Sequence, residues 1–444
     1  MSSPSSSDAP ATIRERVGVA SGPGDAVGIP GAAPLEAPTP SGATERLRRT
    51  FSAFGERDFR IFWLGQLVSV TGLWMQTVAQ GWLILELTGS PFVLGLAAAA
   101  RSVPVLVLVI PAGIAADRFD KRRIILTTNV VATFAAGLMG VLAILDAIDV
   151  PMILVIAAIL GVTNAFELPA RQSYVSELVG SRYVANAIAL NSLLFNAARV
   201  VGPAIAGILV AVVGPGWAML VNSISYLPVM VGLLLIRHAH VPRPVVRAST
   251  ALAEAVRYLR AEPRLAHLFP LLAAQTILAS GPLILAPSLA RDLGQEAEGL
   301  GVLLAATGIG AVFGGLRLAA TSERSSRWQI LLAAGLALAA GNIGVVLSGS
   351  YAIALLCFAV QGWGMVTFNA SSNTLIQTIT PHRLRGRIMS LYALVLLGLM
   401  PAGGILLGAI ANQLSSAAAL AIGGAAYGAI IAVGFAASRS LRRL

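Results

Sequence analysis

The stretch GIAADRFDKRR, residues 113–123, puts four basic residues and two aspartates into eleven positions between two long apolar runs. The rest of the chain avoids charge: of its 444 residues, 56% are hydrophobic and only 11% are charged. A soluble globular domain carries about 25% charged residues, so this is the composition of an integral membrane protein, and residues 113–123 form a loop between two spans. The formal charge of +11 does not point to nucleic acid. The arginines lie in short gaps between apolar runs, not clustered on one face with aromatics between them.

A spanning helix needs about 20 apolar residues. Working outward from the charged loop, twelve segments qualify: about 59–86, 91–115, 123–146, 151–169, 187–213, 217–236, 265–290, 299–320, 328–348, 351–377, 387–411 and 416–436. Turn signals separate them, for example Thr88-Gly89-Ser90-Pro91 and Gly214-Pro215-Gly216. Charge alternates with loop parity. Even-numbered loops carry Arg118, Arg122, Arg182, Arg243, Arg247, Arg324, Arg383 and Arg385, whereas odd-numbered loops carry Glu86, Asp146, Asp149, Asp292, Glu296 and Glu298. The positive-inside rule then places both termini in the cytoplasm of a multi-pass cell-membrane protein. Residues 1–55, rich in Ser, Pro, Ala and Gly, are expected to form a disordered cytoplasmic tail. Residues 237–264 read as a cytoplasmic linker whose Leu252, Val256 and Leu259 mark an interfacial amphipathic helix, and residues 438–444 as a basic tail.

The chain also repeats itself. The segment SYVSELVGSRYVANAIAL from Ser173 aligns without gaps on TLIQTITPHRLRGRIMSL from Thr374, pairing Arg182 with Arg383 and Leu190 with Leu391. The offset of about 200 residues equals six spans, as expected of transporters built from duplicated bundles. The predicted fold is therefore an all-α membrane protein of twelve transmembrane helices in two pseudo-symmetric six-helix bundles, residues 56–236 and 265–437.

The opening stretch resembles the cytoplasmic signature of the major facilitator superfamily, with Gly113, Asp117, Arg118, Lys121 and Arg122 in the signature positions and Asp120 where that family has a second glycine. The stretches FRIFWLGQLVSVTGLWMQTVAQGWLILELTGSP, AFELPARQSYVSELV, NAIALNSLLFNAARVVGPAIAG and LRGRIMSLYAL are similar to the exporter branch that includes the enterobactin exporter, also called transmembrane secretion effectors. The resemblance implies export by alternating access, exchange for protons, and a monomeric protein. It also implies that Gly202, Pro203 and Gly207 correspond to the fifth-helix signature of antiporters. Physically, Gly113 permits close helix approach and Asp117 can face the positive end of a helix of the other half. The basic residues hold the loop at the phosphate headgroups. Together they read as a gate latch.

An ionisable group inside a span is expensive and marks function by default. Arg101, Glu167, Arg171 and Arg199 are such groups. Glu167 and Arg171, four apart, can pair on one helical face, and Glu167 is the candidate proton-coupling group with Arg171, Arg199 and Arg101 around it. The first span carries Gln66, Ser69, Thr71, Trp74, Gln76, Thr77 and Gln80, and its stripe of Gln66, Ser69, Gln76 and Gln80 faces a partner helix or a cavity. Asn191, Asn196, Gln275, Gln361 and Asn369 are the other candidates for a cavity wall, and amides with an aromatic suit an amphipathic small molecule. The same residues could equally serve interhelical packing.

The single Cys357 allows no internal disulfide. No metal-ligand spacing and no phosphate-binding glycine loop occur, so no cofactor, metal or ATP-driven step is expected. His238, His240, His267 and His382 all fall near cytoplasmic ends, and no nucleophile–base set accompanies them, which argues against an enzyme. Nutrient uptake, or a non-transporting sensor or assembly protein on the same fold, remain as alternatives.

Overall fold

The computed structural model describes residues 51–236, 249–321, 327–381 and 383–438. Most of the expected N-terminal tail, His238, His240, Arg243, Arg247, Arg324, His382 and the last residues lie outside this range, as does the side chain of Arg182. The described chain begins earlier than expected. A 3-10 turn, Ser52–Gly55, tucks a fully buried Ala53 under the first helix, and the Ala53 N–H donates to Asn186 Oδ1 at 2.9 Å.

The spanning helices are α1 (Arg57–Thr88), α2 (Pro91–Arg118), α3 (Lys121–Ile144), α4 (Val150–Gly180), α5 (Tyr183–Val213) and α6 (Pro215–Leu235), then, after the short linker helix α7 (Ser249–Ala261), α8 (Pro263–Asp292), α9 (Ala297–Thr321), α10 (Arg327–Ser348), α11 (Tyr351–Ile379), α12 (Arg385–Gln413) and α13 (Ser416–Ala437). Eleven of them are long and apolar enough to cross a membrane. The exception is α1, which at 32 residues has ample length but carries the polar stripe, and it packs inside the first half against α5 and α6 as the twelfth span.

The one large boundary error concerns α4, which passes residue 169 and runs to Gly180. There Gly180 takes φ +64°, a left-handed conformation that glycine adopts without strain, and the chain turns directly into α5. The linker helix α7 is fastened to the second half. Glu254 pairs with Arg383 at 2.8 Å and with Arg387, and the Tyr258 hydroxyl donates to the Ile379 carbonyl at 3.2 Å. Ala255 is buried and Val256, Tyr258 and Leu259 are half-buried, while the side chain of Leu252 lies outside the described residues.

In α8, a π-helical turn, Gln275–Ala279, precedes Gly281-Pro282. Pro282 has no N–H to return to the preceding turn, and Leu283 N bonds the Ser280 carbonyl instead. The Ala279 carbonyl is thereby free to accept from Gln361 Nε2 at 3.2 Å and Asn342 Nδ2 at 3.5 Å.

The two ends of the molecule differ. At the end carrying the acidic loops, one hydrophobic cluster runs through both halves, from Met75 and Leu94 to Leu285, Leu303 and Leu407. At the end carrying the basic loops there are two separate clusters, one from Ala53 to Ile236 and one from Ala255 to Phe435. The halves are packed together at the acidic end and parted at the basic end.

Candidate functional site

The buried charges of the first half converge on α4. Arg171 Nη1 lies 3.4 Å from Glu167 Oε1 and 3.3 Å from Gln66 Oε1 of α1, and its guanidinium stands 4.8 Å over the Phe195 ring of α5. Both members of the pair are largely shielded, with side chains 9% and 13% exposed, so neither charge is left to water and each depends on the other. Glu167 faces Asn129 and Gln66 as well. Tyr226 is buried where α6 is interrupted. From there the polar seam continues through Asn222, whose Nδ2 donates to Gln76 Oε1 at 3.2 Å, to Met139, whose sulfur accepts from Gln76 Nε2 at 3.3 Å.

A cavity of about 440 Å³ lies beside this seam, between the two halves. Its polar lining comes entirely from the first half and includes Thr77, Gln80, Arg101, Ser102, Asn164 and Arg171, with Trp74 and Phe195 as aromatic walls. The second half contributes Leu283, Ile284, Pro287, Leu397 and Met400. Arg199 does not line the cavity but stacks 5.2 Å over the Trp74 ring behind its wall. The charged groups in the lining are thus two arginines, and Glu167 sits behind Arg171.

Of the residues expected to line a cavity, Trp74, Thr77 and Gln80 of the first span do so. Gln66 reaches the cavity only through Arg171. Gln76 is fully buried among α1, α3 and α6. Asn196 donates back to the Ser192 carbonyl of its own helix at 2.8 Å, and Asn191 is half-buried away from the cavity. In the second half, Gln361 and Gln275 are buried at the π turn, and Asn369 packs beneath Tyr392, which donates to its carbonyl at 3.0 Å. A polar stripe says only that a face avoids lipid; here a neighbouring helix, more often than the cavity, takes that face.

The signature residues of the opening stretch take distinct roles. Asp120, where the resemblance calls for glycine, caps α3 by accepting from Arg122 N at 2.9 Å. Lys121 does not reach the headgroups: it is 97% buried and pairs with Glu177 of α4 at 2.8 Å. Arg122 donates to the Leu234 carbonyl of α6 at 3.3 Å. Asp117 and Arg118 are exposed at the parted end, and a Cβ on Gly113 would meet nothing within 4 Å.

The fifth-helix glycines face two ways. A Cβ at Gly202 would come within 2.6 Å of Trp74 Cβ in α1, whereas one at Gly207 would come within 2.8 Å of the Ala297 carbonyl oxygen of α9, in the other half. The Pro203 carbonyl lies 2.5 Å from the Cβ position of Gly301. The same end holds contacts the sequence did not announce. Arg291 of α8 donates to the Leu85 carbonyl of α1 at 3.1 Å and stands over Trp82, whose Nε1 donates to Glu86 at 2.6 Å, and Ser90 donates to Asn412 at 2.8 Å. Arg291 was the detectable signal, a lone basic residue on an acidic loop.

The profile of the transmembrane secretion effector family matches residues 48–442. The enterobactin exporter EntS of Shigella flexneri is 28% identical over 341 residues, covering 75% of this chain and 80% of the exporter. The multidrug efflux pump Tap of Mycolicibacterium fortuitum is 26% identical over 361 residues, covering 78% and 87%. Among solved structures, the nucleoside transporter NupG superposes with a TM-score of 0.72 at 10% identity over 85% of this chain and 98% of its own. A bacterial homologue of the lysosomal transporter Spinster, inward-facing and unoccupied, superposes with a TM-score of 0.66 at 17% identity over 87% and 97%. These last two share the fold. With the twelve spans and the match over nearly the whole length, the chain belongs to the transmembrane secretion effector family of major facilitator membrane transporters.

Proposed function

We propose that the protein is a proton-coupled exporter of amphipathic small molecules rich in anionic or hydrogen-bond-accepting groups. The observation that carries this reading is the Glu167–Arg171 pair at the wall of a cavity whose own charged lining is Arg101 and Arg171. Two guanidiniums and two aromatic walls favour a solute that is flat or apolar on one side and acceptor-rich on the other. A proton on Glu167 removes the partner that holds Arg171, and a solute acceptor can take its place, so proton and solute compete for one cation. That competition is antiport.

Export is supported by the printed functions of the relatives, enterobactin export and multidrug efflux. Positive-inside topology makes the basic end cytoplasmic, and the parted basic end then corresponds to an inward-open state ready to load solute from the cytoplasm. In that state Asp117 and Arg118 stand apart from the second half. On closure of the cytoplasmic end they act as a latch, while the contacts at Gly207 and Arg291 release. The halves 56–236 and 265–437 move as two bodies of a monomer, with the linker helix travelling with the second.

The test compares metabolites in medium and cells of a deletion strain carrying either the native gene or Glu167→Gln. A metabolite that leaves the medium, accumulates in cells and returns with the native gene alone supports the reading. Equal restoration by both genes removes Glu167 from the mechanism, and no change in any metabolite or drug tolerance favours a non-transport role.

A further inference from the structure

We propose that a groove on the membrane-facing side of the first half seats one acyl chain of an anionic phospholipid, with the lipid phosphate held by Arg118 and Arg123. The groove has a volume of about 620 Å³ and lies among the end of α2, the start of α3 and the middle of α4, lined by Phe119, Ile124, Val131, Ile159, Val162 and Phe166. Thr128 and Thr163 also line it, but their hydroxyls donate to carbonyls of their own helices, Ile124 and Leu160, so they offer methyl groups to the groove. Between these residues the floor of the groove is apolar, and its polar members are the exposed Thr127 and, at the mouth, Asp120 and Arg123.

Length and charge select the occupant. From Asp120 to Val131 the groove follows α3 for about 16 Å at 1.5 Å per residue, which is about half of a hydrocarbon core of about 30 Å. It therefore spans one leaflet. At its mouth Arg123 is 87% exposed, and Arg118 stands over the Phe119 ring at 5.9 Å. Of the two acids here, Asp120 is committed to the cap of α3 and lies 3.8 Å from Arg123, and Asp117, exposed, precedes Arg118. An apolar trough of one leaflet's depth under two guanidiniums matches a chain below a phosphodiester.

The corresponding place in the second half, among α9, α10 and α11, does not fit a chain. Its pocket holds about 210 Å³ and is lined by Arg317, Gln329, Trp363 and Thr367. Lipid binding is thus assigned to one half, directly beside Gly113 and Asp117.

The experiment uses the full chain in nanodiscs with phosphatidylglycerol bearing a photoactivatable acyl chain, followed by peptide mapping, and native mass spectrometry with phosphatidylglycerol against phosphatidylcholine. Expected are labels within residues 119–131 and 159–166, and retention of phosphatidylglycerol about fivefold above phosphatidylcholine, the scale of one basic residue near an anionic surface. Arg123→Gln should remove the headgroup preference while Val162→Trp, which fills the trough, should remove labelling there for both lipids. Arg123 is 87% and Val162 39% exposed, so both substitutions are made at the surface of the first half. Labels spread evenly over the spans, equal retention of the two lipids by the native chain, or displacement of the lipid by inorganic phosphate would each overturn the proposal.

Discussion

The two halves share an architecture and divide its chemistry. In the first half the spans bury charge: Glu167 with Arg171, Lys121 with Glu177, Arg199 over the Trp74 ring, and Arg101 in the cavity wall. In the second half the buried polar groups around the middle of α8 are uncharged amides, and they hold a helix irregularity, with Gln361 and Asn342 on the Ala279 carbonyl. One half carries groups whose protonation or ligation can change; the other carries a helix with a weakened hydrogen-bond ladder, the usual seat of bending. A duplicated bundle can specialise in this way because the cavity between the copies needs only one reactive wall.

The strongest test of that division is Glu167→Gln. Removing the acid leaves Arg171 as an uncompensated shielded charge, which costs about 3–5 kcal/mol when a buried pair is broken, and proton-driven transport should be lost. Thermal unfolding of Glu167→Gln/Arg171→Met should recover most of the stability, while proteoliposomes under a pH gradient should still show no transport. Transport by the double variant would break the assignment of coupling to the first half.

Next in size is Gly207→Leu at the contact between the halves. Overpacking costs about 1–3 kcal/mol, enough to shift a two-state population by about fivefold or more, so spin-label distances across the acidic end should lengthen. Gly315→Leu, whose added carbon would meet nothing within 4 Å, should leave them unchanged. If both behave alike, the Gly207 contact is not what holds that end shut.

Arg101→Gln sharpens the comparison at the level of recognition. A hydrogen bond to a charged group contributes about 1.5–3 kcal/mol, so binding of an anionic solute, followed by calorimetry, should weaken by roughly tenfold or more while a neutral analogue binds as before. The smallest effect belongs to the second half. Gln361→Leu removes one of two donors to the Ala279 carbonyl and should cost about 1 kcal/mol in thermal stability, with solute affinity unchanged. An affinity change there would mean that the second half also touches solute.

Much of this was readable before folding. Span number and loop polarity follow from hydropathy and charge, and the Glu167–Arg171 pair follows from a spacing of four. Hidden from the sequence was direction: Gln66, Gln76 and Gln80 lie on one helix, yet they serve an ion pair, a neighbouring helix and the cavity respectively. Long-range pairs such as Lys121 with Glu177 leave no periodic trace, because each partner alone reads as a loop charge. Asp120 looked like a departure from a motif because its capping role depends on where α3 starts.

The polarity of α1 also constrains the order in which the molecule is made. As the first of these twelve spans to leave the ribosome it carries Gln66, Gln76 and Gln80 into a bilayer that offers them no partner. The donor for Gln76 is Asn222, which is synthesised 146 residues later. Until α6 arrives, α1 lacks the composition of a free-standing span, so α1 is expected to settle in the membrane only once Asn222 has been made.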